Sequence, residues 1–490
     1  MTFLGIDCGT SALKAALVDE RGLEVAGAQS AYRPDHPRPL WSEQDPEIWR
    51  AALLAALGAL RAKAPEAYGR VRGIGFSGQM HSAVLLGRDE APVRPAMLHN
   101  DTRAHAQARE LAELYPGVAA KVGVKPMAGF TAPKLMWLAR QEPAVYARIA
   151  SVLLPKDYLR FVLTSEKRTD MSDAAGTWWL DEAGRRWSEE AIAATGIDPA
   201  WLPRLAEGCE AVASLRPALA DELGLPRGAV VAAGAGDAAA GAVGLGAIRP
   251  GDAYVSLGTS TQLIVASDVH RAAPEKLVHS FAHALPGLWY RMAAMLNGAG
   301  ALAFAARLLG ADVAELEREA ERDYPGPGSL LFLPYLSGER TPHDDPHASG
   351  VLFGLRPDTS RAEVARAVME GVAHTLAEAR ECLESAGDTF GSIGLIGGGA
   401  RSALWTRMIA ASLNRDIVRY RSGETGPALG AARLGRLAAT GEAPQDVCAP
   451  PQVLDVTHPD PELAASFARA RDSFRSLYSA LKPEFHRGIG

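Results

Sequence analysis

The first thirty residues alternate short apolar runs with tight polar turns. Apolar runs at 3–6, 13–18 and 23–28 are separated by turns at 7–10 and 19–22. Apolar runs of this length between turn residues predict strands, and turns this short join antiparallel neighbours. The chain is therefore predicted to open with an antiparallel meander of three strands.

Helix and strand signals continue after the meander. Asp45 suits an N-cap and Pro46 suits the first helical position, which predicts a helix running to about Lys63. A buried strand is predicted at 71–76, just before His81. The same patterns predict helices at 103–115, 134–141, 143–150, 238–244, 360–386 and 401–413, and strands at 229–233, 252–257, 262–266 and 392–396.

The opening hairpin occurs a second time in the chain. The turn Asp7-Cys8-Gly9-Thr10-Ser11 aligns with Ser256-Leu257-Gly258-Thr259-Ser260, and apolar strand patterns flank both turns. A strand, glycine turn and strand occurring once in each half predict two related domains that face each other. The second half is predicted to begin near residue 250.

Length and composition agree with two domains and narrow the class of protein. A chain of 490 residues is too long for one hydrophobic core. Hydrophobic residues make up 48% and charged residues 22%, which is typical of a globular enzyme. The formal net charge of -6 comes without a basic block or an acidic tail. This distribution argues against a nucleic-acid partner.

The sequence also indicates where the protein works. It has neither a basic segment followed by a long apolar run at its start nor an apolar stretch near 18 residues, so no leader and no membrane partner are predicted. The four cysteines are scattered and form no CxxC pair, which is typical of reduced thiols in the cytoplasm. We therefore expect a cytoplasmic enzyme.

Glycine-rich turns are candidate contacts for nucleotide phosphates, because glycine lets backbone N–H groups approach an anion closely. Such turns lie at 9–11, 258–260 and 397–399. The chain has no Gly-Lys dipeptide, which excludes a Walker A loop. The glycines at 73, 75 and 78 match a dinucleotide fingerprint by letters, but they lie in a strand pattern and no helix start follows. A nicotinamide dehydrogenase is therefore disfavoured.

Two aspartates stand at strand ends beside these turns. Asp7 either forms an Asx turn with its own backbone or organises Mg²⁺ and its waters beside the phosphates. Asp237 either caps the following helix or supplies the carboxylate that a kinase needs within reach of the acceptor hydroxyl. The local sequence leaves both alternatives open.

Polar residues that suit a polyol lie near the predicted strand at 71–76. His81 is either an internally satisfied polar residue or a ligand of the substrate. The stretch from Asn100 to Arg103 supplies an amide, a carboxylate and a guanidinium within four residues, although a solvated loop carries the same residues.

As a set, the motifs resemble the FGGY family of carbohydrate kinases over residues 3 to 435. The stretches 154–159 and 170–177 are close to those of family members that act on D-xylulose. The motifs that carry the resemblance are Gly5-Ile6-Asp7-x-Gly9-Thr10-Ser11, Gly75-x-x-Gly78-Gln79-Met80-His81, and the stretches 129–138, 154–159, 170–177, 335–342, 350–355 and 397–402.

The resemblance implies an α/β fold with two actin-like (ribonuclease H-like) ATPase domains flanking a central cleft, at residues 1–247 and 248–490. It implies ATP-dependent phosphorylation of a ketopentose, in the first place D-xylulose to D-xylulose 5-phosphate. The implied cofactors are ATP and Mg²⁺, the implied partner is a small sugar, and the implied assembly is a homodimer.

Site residues follow from the same resemblance. Asp237 takes the position of the catalytic base and Asp7 that of the essential carboxylate. Both are expected at the metal, Asp7 through water. The expected substrate-binding residues are Gln79, Met80, His81, Asn100, Asp101 and Arg103, and the expected nucleotide-binding residues are Thr10, Ser11, Lys14, Gly258, Thr259, Gly398, Gly399 and Ala400.

Two departures from the family pattern put the identity of the sugar in doubt. Ala238 stands where relatives carry Asn or Gln, and His99 replaces a Trp before the Asn-Asp pair. The alternatives are a kinase for another polyol, such as D-ribulose, a 1-deoxy-ketose or gluconate, and an actin-like ATP-dependent switch. A pure switch needs no polyol-lined pocket, so the clusters at 79–81 and 100–103 favour a kinase.

Overall fold

The computed structural model describes residues 1–421 and 426–487. Up to residue 250 its strands are β1 (Thr2–Cys8), β2 (Ala12–Asp19), β3 (Glu24–Ala31), β4 (Glu43–Gln44), β5 (Val71–Gly78), β6 (Val84–Leu86), β7 (Ala96–Met97), β8 (Ser151–Leu153), β9 (Arg168–Asp170), β10 (Leu180–Asp181), β11 (Arg186–Trp187), β12 (Arg204–Ala206), β13 (Ala211–Ser214), β14 (Val230–Ala232) and β15 (Ala235–Gly236). The helices of this half are α1 (Pro46–Lys63), α2 (Pro65–Tyr68), α3 (His105–Leu114), α4 (Val118–Lys121), α5 (Thr131–Gln141), α6 (Pro143–Tyr146), α7 (Pro155–Thr164), α8 (Met171–Ala174), α9 (Glu189–Thr195), α10 (Pro217–Leu223) and α11 (Asp237–Leu245).

The second half has the strands β16 (Ala253–Leu257), β17 (Thr261–Ser267), β18 (His279–Ala282), β19 (Trp289–Met295), β20 (Leu331–Leu333), β21 (Val351–Phe353), β22 (Ile393–Ile396), β23 (Ile417–Tyr420) and β24 (Val453–Thr457). Its helices are α12 (Ala299–Leu308), α13 (Val313–Glu321), α14 (Arg361–Ser385), α15 (Ala403–Leu413), α16 (Gly426–Thr440), α17 (Pro444–Val447) and α18 (Pro461–Arg487). In the described ranges, no helix is both long and apolar enough to cross a bilayer.

Two large sheets carry the fold, and the order of four central strands is the same in both, β14-β5-β1-β2 in the first and β23-β22-β16-β17 in the second. The first sheet runs β13-β14-β5-β1-β2-β3, and β15 also pairs with β5. The second runs β24-β23-β22-β16-β17-β19-β18. In each, the central strand pairs antiparallel with the next strand along the chain and parallel with a later one. The repeat predicted from the two glycine hairpins therefore extends to the central strands of each sheet.

Local signals located most elements to within a few residues. The helix α1 begins at Pro46, and the side chain of Asp45 accepts the N–H of Glu47, as the capping pattern predicted. The helix predicted at 143–150 was wrong in length, since α6 ends at Tyr146. The chain then becomes extended and Ala150 donates its N–H to the carbonyl of Leu86, which leads it into β8 beside β6.

The helix α16 belongs to the second half of the chain but packs on the first sheet. A Cβ added at Gly75 would lie 1.8 Å from the carbonyl oxygen of Ala431, and one added at Gly73 would lie 2.1 Å from that of Gly435. These glycines lie within β5 and let a helix backbone rest directly on the strand. Their spacing reflects packing, which agrees with the rejection of a dinucleotide fingerprint.

Candidate active site

Asp7 lies at the carboxyl end of β1, where three parallel strands end together. In the strand register Asp7 is opposite Ser77 of β5, and Ser77 is opposite Ala235 of β15. Asp7 is buried, and its Oδ1 has no hydrogen-bond partner in the described part of the chain. Burial raises the pKa of Asp7 to about 6, although the nearby Ser77 hydroxyl and Lys14 ammonium oppose the rise.

Asp237 follows β15 directly and is the first residue of α11. Its Oδ1 accepts the N–H of Ala238 at 2.8 Å, so one oxygen does take part in local capping. Burial raises the pKa of Asp237 to about 7, and the negative charge of Asp7 adds to the rise. The two carboxylates therefore lie close enough to disfavour each other's ionisation, which makes the site attractive to a cation or a proton.

The donor set at this point fits Mg²⁺. The described residues contain no group of three or more His, Cys, Asp or Glu side chains placed to hold a metal. Mg²⁺ is typically held by one or two carboxylates and keeps several waters and substrate phosphates as its other ligands. An unpartnered buried oxygen on Asp7 beside the Asp237 carboxylate supplies that number of protein ligands.

The two hairpin turns lie at the ends of β1 and β16. Gly9 donates its N–H to the carbonyl of Ala12 at 3.0 Å, and Gly258 donates its N–H to that of Ser260 at 3.0 Å. In both turns the hydroxyl residues that follow the glycine are at least partly exposed, as is the Lys14 ammonium: Thr10, Ser11, Lys14, Thr259 and Ser260.

A direct contact ties the second sheet to the base of α11. The hydroxyl of Tyr254, in β16, donates to the carbonyl of Ala238 at 2.7 Å. The Gly258 turn is four residues further along this strand, about 13 Å at the usual rise per residue. The Gly9 turn therefore lies two residues beyond Asp7, and the Gly258 turn lies at the end of a strand that contacts α11.

The third glycine turn lies beside the second. Gly397 has a φ of 93°, and the segment from Gly398 to Arg401 forms a short 3₁₀ turn. A Cβ added at Gly399 would lie 2.5 Å from the Leu257 side chain, so this turn packs against the end of β16. The carbonyl of Ala400 accepts a hydrogen bond from Arg419 at 3.1 Å.

His81 is fixed by contacts on both its backbone and its ring. Its φ is 69°, and its carbonyl accepts Thr131 Oγ1 at 3.1 Å and Lys134 Nζ at 3.0 Å. The ring stacks on Phe130 at 4.3 Å, and Nδ1 lies 2.7 Å from the carbonyl oxygen of Gly176. Because burial lowers the pKa of His81, the ring is neutral, and Nδ1 must carry the proton that the carbonyl accepts. Nε2 is then an acceptor, which suits a sugar hydroxyl.

Gln79 and Met80 are more enclosed than the sequence suggested. The amide nitrogen of Gln79 reaches the carbonyl of Gly9 at 3.5 Å, and its Oε1 lies 3.3 Å from His99 Nδ1. The hydroxyl of Tyr290 approaches Met80 Sδ at 3.8 Å. Both side chains are buried. The contact of Gln79 joins this segment to the Gly9 turn, and the contact of Met80 joins the first half of the chain to the second.

The side chains of Asp101 and Arg103 are paired with each other and with Glu43, while Nη1 of Arg103 has no hydrogen-bond partner in the described part of the chain. Arg103 Nε donates to Asp101 Oδ1 at 2.9 Å, and its Nη2 lies 2.7 Å from Glu43 Oε1. Its guanidinium stacks 3.4 Å from the ring of Trp41. The structure therefore places both side chains in a buried brace, whereas the neighbouring Asn100 is exposed.

Two residues that local patterns did not single out also border this region. His279 of β18 is buried with both ring nitrogens unpartnered in the described chain, and its ring lies 6.2 Å from Phe130. The positive charge of Arg340 contributes to the lowered pKa values of His99 and His279. The strand that contains His279 carries no motif that marks this residue, and Arg340 lies within a motif of the family resemblance. Only the tertiary fold brings the two side chains to the cleft.

Comparison with known proteins defines the class of this chain. Residues 2–244 match the model of the N-terminal domain of the FGGY family of carbohydrate kinases, and residues 253–439 match that of its C-terminal domain. The chain belongs to the FGGY family of carbohydrate kinases. Like that family it is an ATP-dependent enzyme that acts on a small sugar, and the predicted actin-like α/β fold is confirmed.

Individual relatives narrow the comparison. A xylulose kinase from Klebsiella pneumoniae is 43% identical over 98% of this chain and 99% of its own. A crystal structure titled as a xyloylose kinase from Brucella ovis is 45% identical, with a TM-score of 0.95 and coverage of 99% of this chain and 100% of its own. The crystal structure of a gluconate kinase from Lactobacillus acidophilus has a TM-score of 0.92 at 25% identity, over 99% of both chains. The fold alone therefore does not select the sugar.

Proposed function

We propose that this enzyme transfers the γ-phosphoryl group of ATP to the terminal hydroxyl of D-xylulose and releases D-xylulose 5-phosphate. The observation that carries the proposal is the pair of carboxylates, Asp7 and Asp237, which follow or end strands that pair with β5, beside the Gly9 turn. The identity of the sugar rests on the two xylulose kinase relatives, which are 43% and 45% identical over almost the whole chain.

Asp237 serves as the general base in this proposal. With a pKa of about 7, a substantial fraction of its carboxylate is ionised at neutral pH, yet it is basic enough to accept the proton of an attacking hydroxyl. A bound Mg²⁺, held by Asp237 and through water by Asp7, would supply neutralisation of phosphate charge. Because its Oδ1 is held by the Ala238 N–H, the orientation of the carboxylate is set by the backbone.

The nucleotide lies across the two hairpin turns. Thr10, Ser11 and Lys14 are proposed to contact the phosphates from the first sheet, and Gly258 and Thr259 from the second, because backbone N–H groups and hydroxyls spread the developing charge. The turn formed by Gly398, Gly399 and Ala400 borders the adenosine. Closure of the two halves, which we divide at residue 247, would exclude water that otherwise hydrolyses ATP.

The sugar lies on the side of His81, Asn100 and His99. Neutral His81 offers Nε2 as an acceptor, and the exposed amide of Asn100 both donates and accepts. Asp101 and Arg103 shape this wall indirectly. The methyl side chain of Ala238 offers no hydrogen bond, so the sugar is recognised mainly by the histidine wall. A cytoplasmic homodimer remains the expected form.

A substrate panel tests the proposal. ADP release would be measured with D-xylulose, D-ribulose, L-xylulose, L-ribulose, glycerol and gluconate, with and without Mg²⁺. We expect the highest kcat/KM with D-xylulose and no transfer without the metal. A higher kcat/KM for another member of the panel would replace the substrate, and ATP turnover that is indifferent to every sugar would replace the kinase with a switch.

A further inference from the structure

Five charged side chains, two basic and three acidic, are shut off from water behind the catalytic strand ends. They are Lys156, Asp157, Arg160, Asp170 and Asp173, which we call the ionic cluster. Burying a charge without a partner costs several kcal/mol, so such groups need close pairing. Nζ of Lys156 supplies much of that pairing, since it lies 2.6 Å from Asp157, 2.8 Å from Asp170 and 3.1 Å from Asp173.

The ionic cluster touches the strands that carry the catalytic aspartates. A Cβ added at Gly78 would lie 3.3 Å from the Cβ of Lys156. Gly78 is opposite Cys8 in the register of β1 and opposite Gly236 in that of β15. The ionic cluster therefore lies next to Gly78, directly behind the catalytic strand ends. The strand neighbours of Gly78 are Cys8, which follows Asp7, and Gly236, which precedes Asp237.

One hydrogen-bond path runs from the ionic cluster to the residue before Asp237. Asp170 Oδ2 accepts the N–H of Ser172 at 2.8 Å and its hydroxyl at 2.5 Å. With its proton directed to Asp170, the same hydroxyl oxygen accepts the N–H of Gly236 at 3.1 Å. Ser172 thus relays the position of Asp170 to the backbone that carries Asp237.

A second path holds the other end of the same turn. The guanidinium of Arg160 donates to the carbonyl of Ala233 and lies 3.2 Å from Asp157. Between these two anchors the chain passes through Gly234, whose φ is 88°. A glycine in this conformation gives the turn little stiffness of its own. The anchors at residues 233 and 236 therefore help to set where Asp237 begins, together with the pairing of β15 with β5 and the hydrogen bond from the Gly234 N–H to the carbonyl of Gly208.

The charge of the ionic cluster is also suited to a place behind a catalytic carboxylate. Burial, together with the negative charges of Asp157 and Asp170, raises the pKa of Asp173 well above its ordinary value, although Lys156 opposes the rise. The raised pKa of Asp173 favours its protonated form, which reduces the negative charge of the cluster and its repulsion of Asp237.

We propose that Ser172 and Arg160 are positioning residues for the catalytic base, and that the ionic cluster holds the turn at 233–237 through them. The inference rests on the proposed function, because it assigns the anchored residue the role of base. A reactive group displaced by about 1 Å loses roughly 100-fold in rate without any loss of chemical competence. Ser172 and Arg160 set the position of the Asp237 carboxylate through the backbone that carries it. They contact neither the nucleotide turns nor His81 among the described residues, so their loss should lower kcat more than it raises KM.

Two variants remove one anchor each. Ser172→Ala deletes the acceptor of the Gly236 N–H, and Arg160→Lys keeps the charge beside Asp157 while removing the fork that reaches Ala233. We expect kcat with D-xylulose to fall about 10- to 100-fold in each, while KM for sugar and for MgATP stays within about threefold. Either variant decides the question if the other fails to fold.

Ser188→Ala is the matched control. Ser188 is also buried, and its hydroxyl accepts the N–H of Ala191 at 3.2 Å in the cap of α9, away from the turn at 233–237. If Ser188→Ala lowers kcat as much as Ser172→Ala does at an equal loss of Tm, the effect is a general loss of packing and the inference is wrong. It is also wrong if both anchor variants keep kcat within twofold of the wild type.

Hydrogen exchange separates failure of this inference from failure of the proposed function. The Gly236 amide in the wild type should exchange slowly, and Ser172→Ala should speed its exchange at least tenfold, whatever sugar the enzyme uses. Unchanged exchange would refute the anchor itself. A wild type that phosphorylates no sugar of the panel would instead refute the proposed function and leave the exchange result standing.

Discussion

The two sheets share the order of their four central strands but differ in how a helix meets β1 and β16. The alignment that matches Gly9 with Gly258 also matches Gly5 of β1 with Tyr254 of β16. A Cβ at Gly5 would lie 1.9 Å from the carbonyl of Ala428 in α16, whereas the Tyr254 side chain reaches across to Ala238 in α11. The first sheet thus lies directly on a helix backbone, and the second is held away from its neighbour by an aromatic side chain.

The same comparison applies to the chemistry. Asp7 of the first sheet corresponds to Ser256 of the second, and no carboxylate lies at that point of β16. Both sheets keep the glycine turn that suits a phosphate chain. In the proposed function, the duplicated scaffold therefore supplies two faces for the nucleotide, while both proposed acidic residues come from the first half only.

Both proposed acidic residues lie in the first half of the chain. Replacing the proposed base, Asp237, should therefore lower kcat more than any other change. Asp237→Asn keeps the shape of the side chain but cannot accept the proton of the sugar hydroxyl, so kcat should fall about 10²- to 10⁴-fold. The folding of the variant should be retained, because it removes a buried carboxylate that the charge of Asp7 disfavours. Steady-state kinetics with D-xylulose and thermal denaturation check the two statements.

The corresponding change in the second sheet is the control. Ser256→Ala should leave kcat within about threefold of the wild type, because the second sheet carries no acidic group at this point. If Asp237→Asn keeps more than a tenth of wild-type kcat, Asp237 is not the base. If Ser256→Ala loses as much as Asp237→Asn, the chemistry is shared between the sheets and the comparison fails.

The sequence predicted the repeat because the repeat depends on local patterns, whereas the roles of Asp7 and Asp237 came from the family resemblance and stay a prediction. Strand, turn and cap signals located β1, β16 and α1 to within a residue or two. The pairing of Asp101 with Arg103 was not predicted, because it also requires Glu43, which is distant in the sequence. Buried networks of this kind form between elements that only the tertiary fold brings together.

The packing of α16 on the first sheet was missed for the same reason. The glycines of β5 lie in a pattern that predicted a strand, and nothing near them indicates a helix from the other half of the chain. The reacting groups were thus predicted through the family resemblance, whereas the brace of Asp101, Arg103 and Glu43 and the ionic cluster were not predicted.

Adding one methyl group to each sheet tests the difference in packing. Gly75 and Gly394 are equivalent, since they pair with Gly5 and Tyr254 respectively. A Cβ at Gly75 meets the backbone oxygen of Ala431 at 1.8 Å, whereas a Cβ at Gly394 meets the Tyr420 ring at 3.0 Å. A backbone in a packed helix cannot yield as a side chain can, so Gly75→Ala should cost more, about 3 kcal/mol or above.

Denaturant unfolding of the two variants measures that difference. We expect Gly394→Ala to lose about 1 kcal/mol or less, because the Tyr420 ring can shift by a few tenths of an ångström. Equal losses, or a larger loss for Gly394→Ala, would contradict the direct contact between α16 and the first sheet. A Gly75→Ala protein that does not fold at all would agree with it.

The smallest expected effect is a shift in the pH profile of kcat/KM. The shift requires the two neighbouring carboxylates, which lie only in the first half of the chain. The negative charge of Asp7 helps to raise the pKa of Asp237 to about 7. Asp7→Asn removes that charge, so the pKa of Asp237 should fall and the base should stay ionised to lower pH. The acidic limb of kcat/KM, measured on the residual activity, should therefore move to lower pH by a fraction of a unit to about one unit.

Asp19→Asn provides the comparison for this shift, because it removes the same charge from the far end of the same hairpin. Asp19 is opposite Thr2, at the other end of β1 from Asp7. Five residues of strand separate the two ends, about 17 Å, and at that distance exposed charges are largely screened at physiological salt. The limb should not move in Asp19→Asn. A limb that moves to higher pH in Asp7→Asn, or equally in both variants, would show that the two carboxylates at the strand ends do not interact, and the paired-carboxylate site would have to be abandoned.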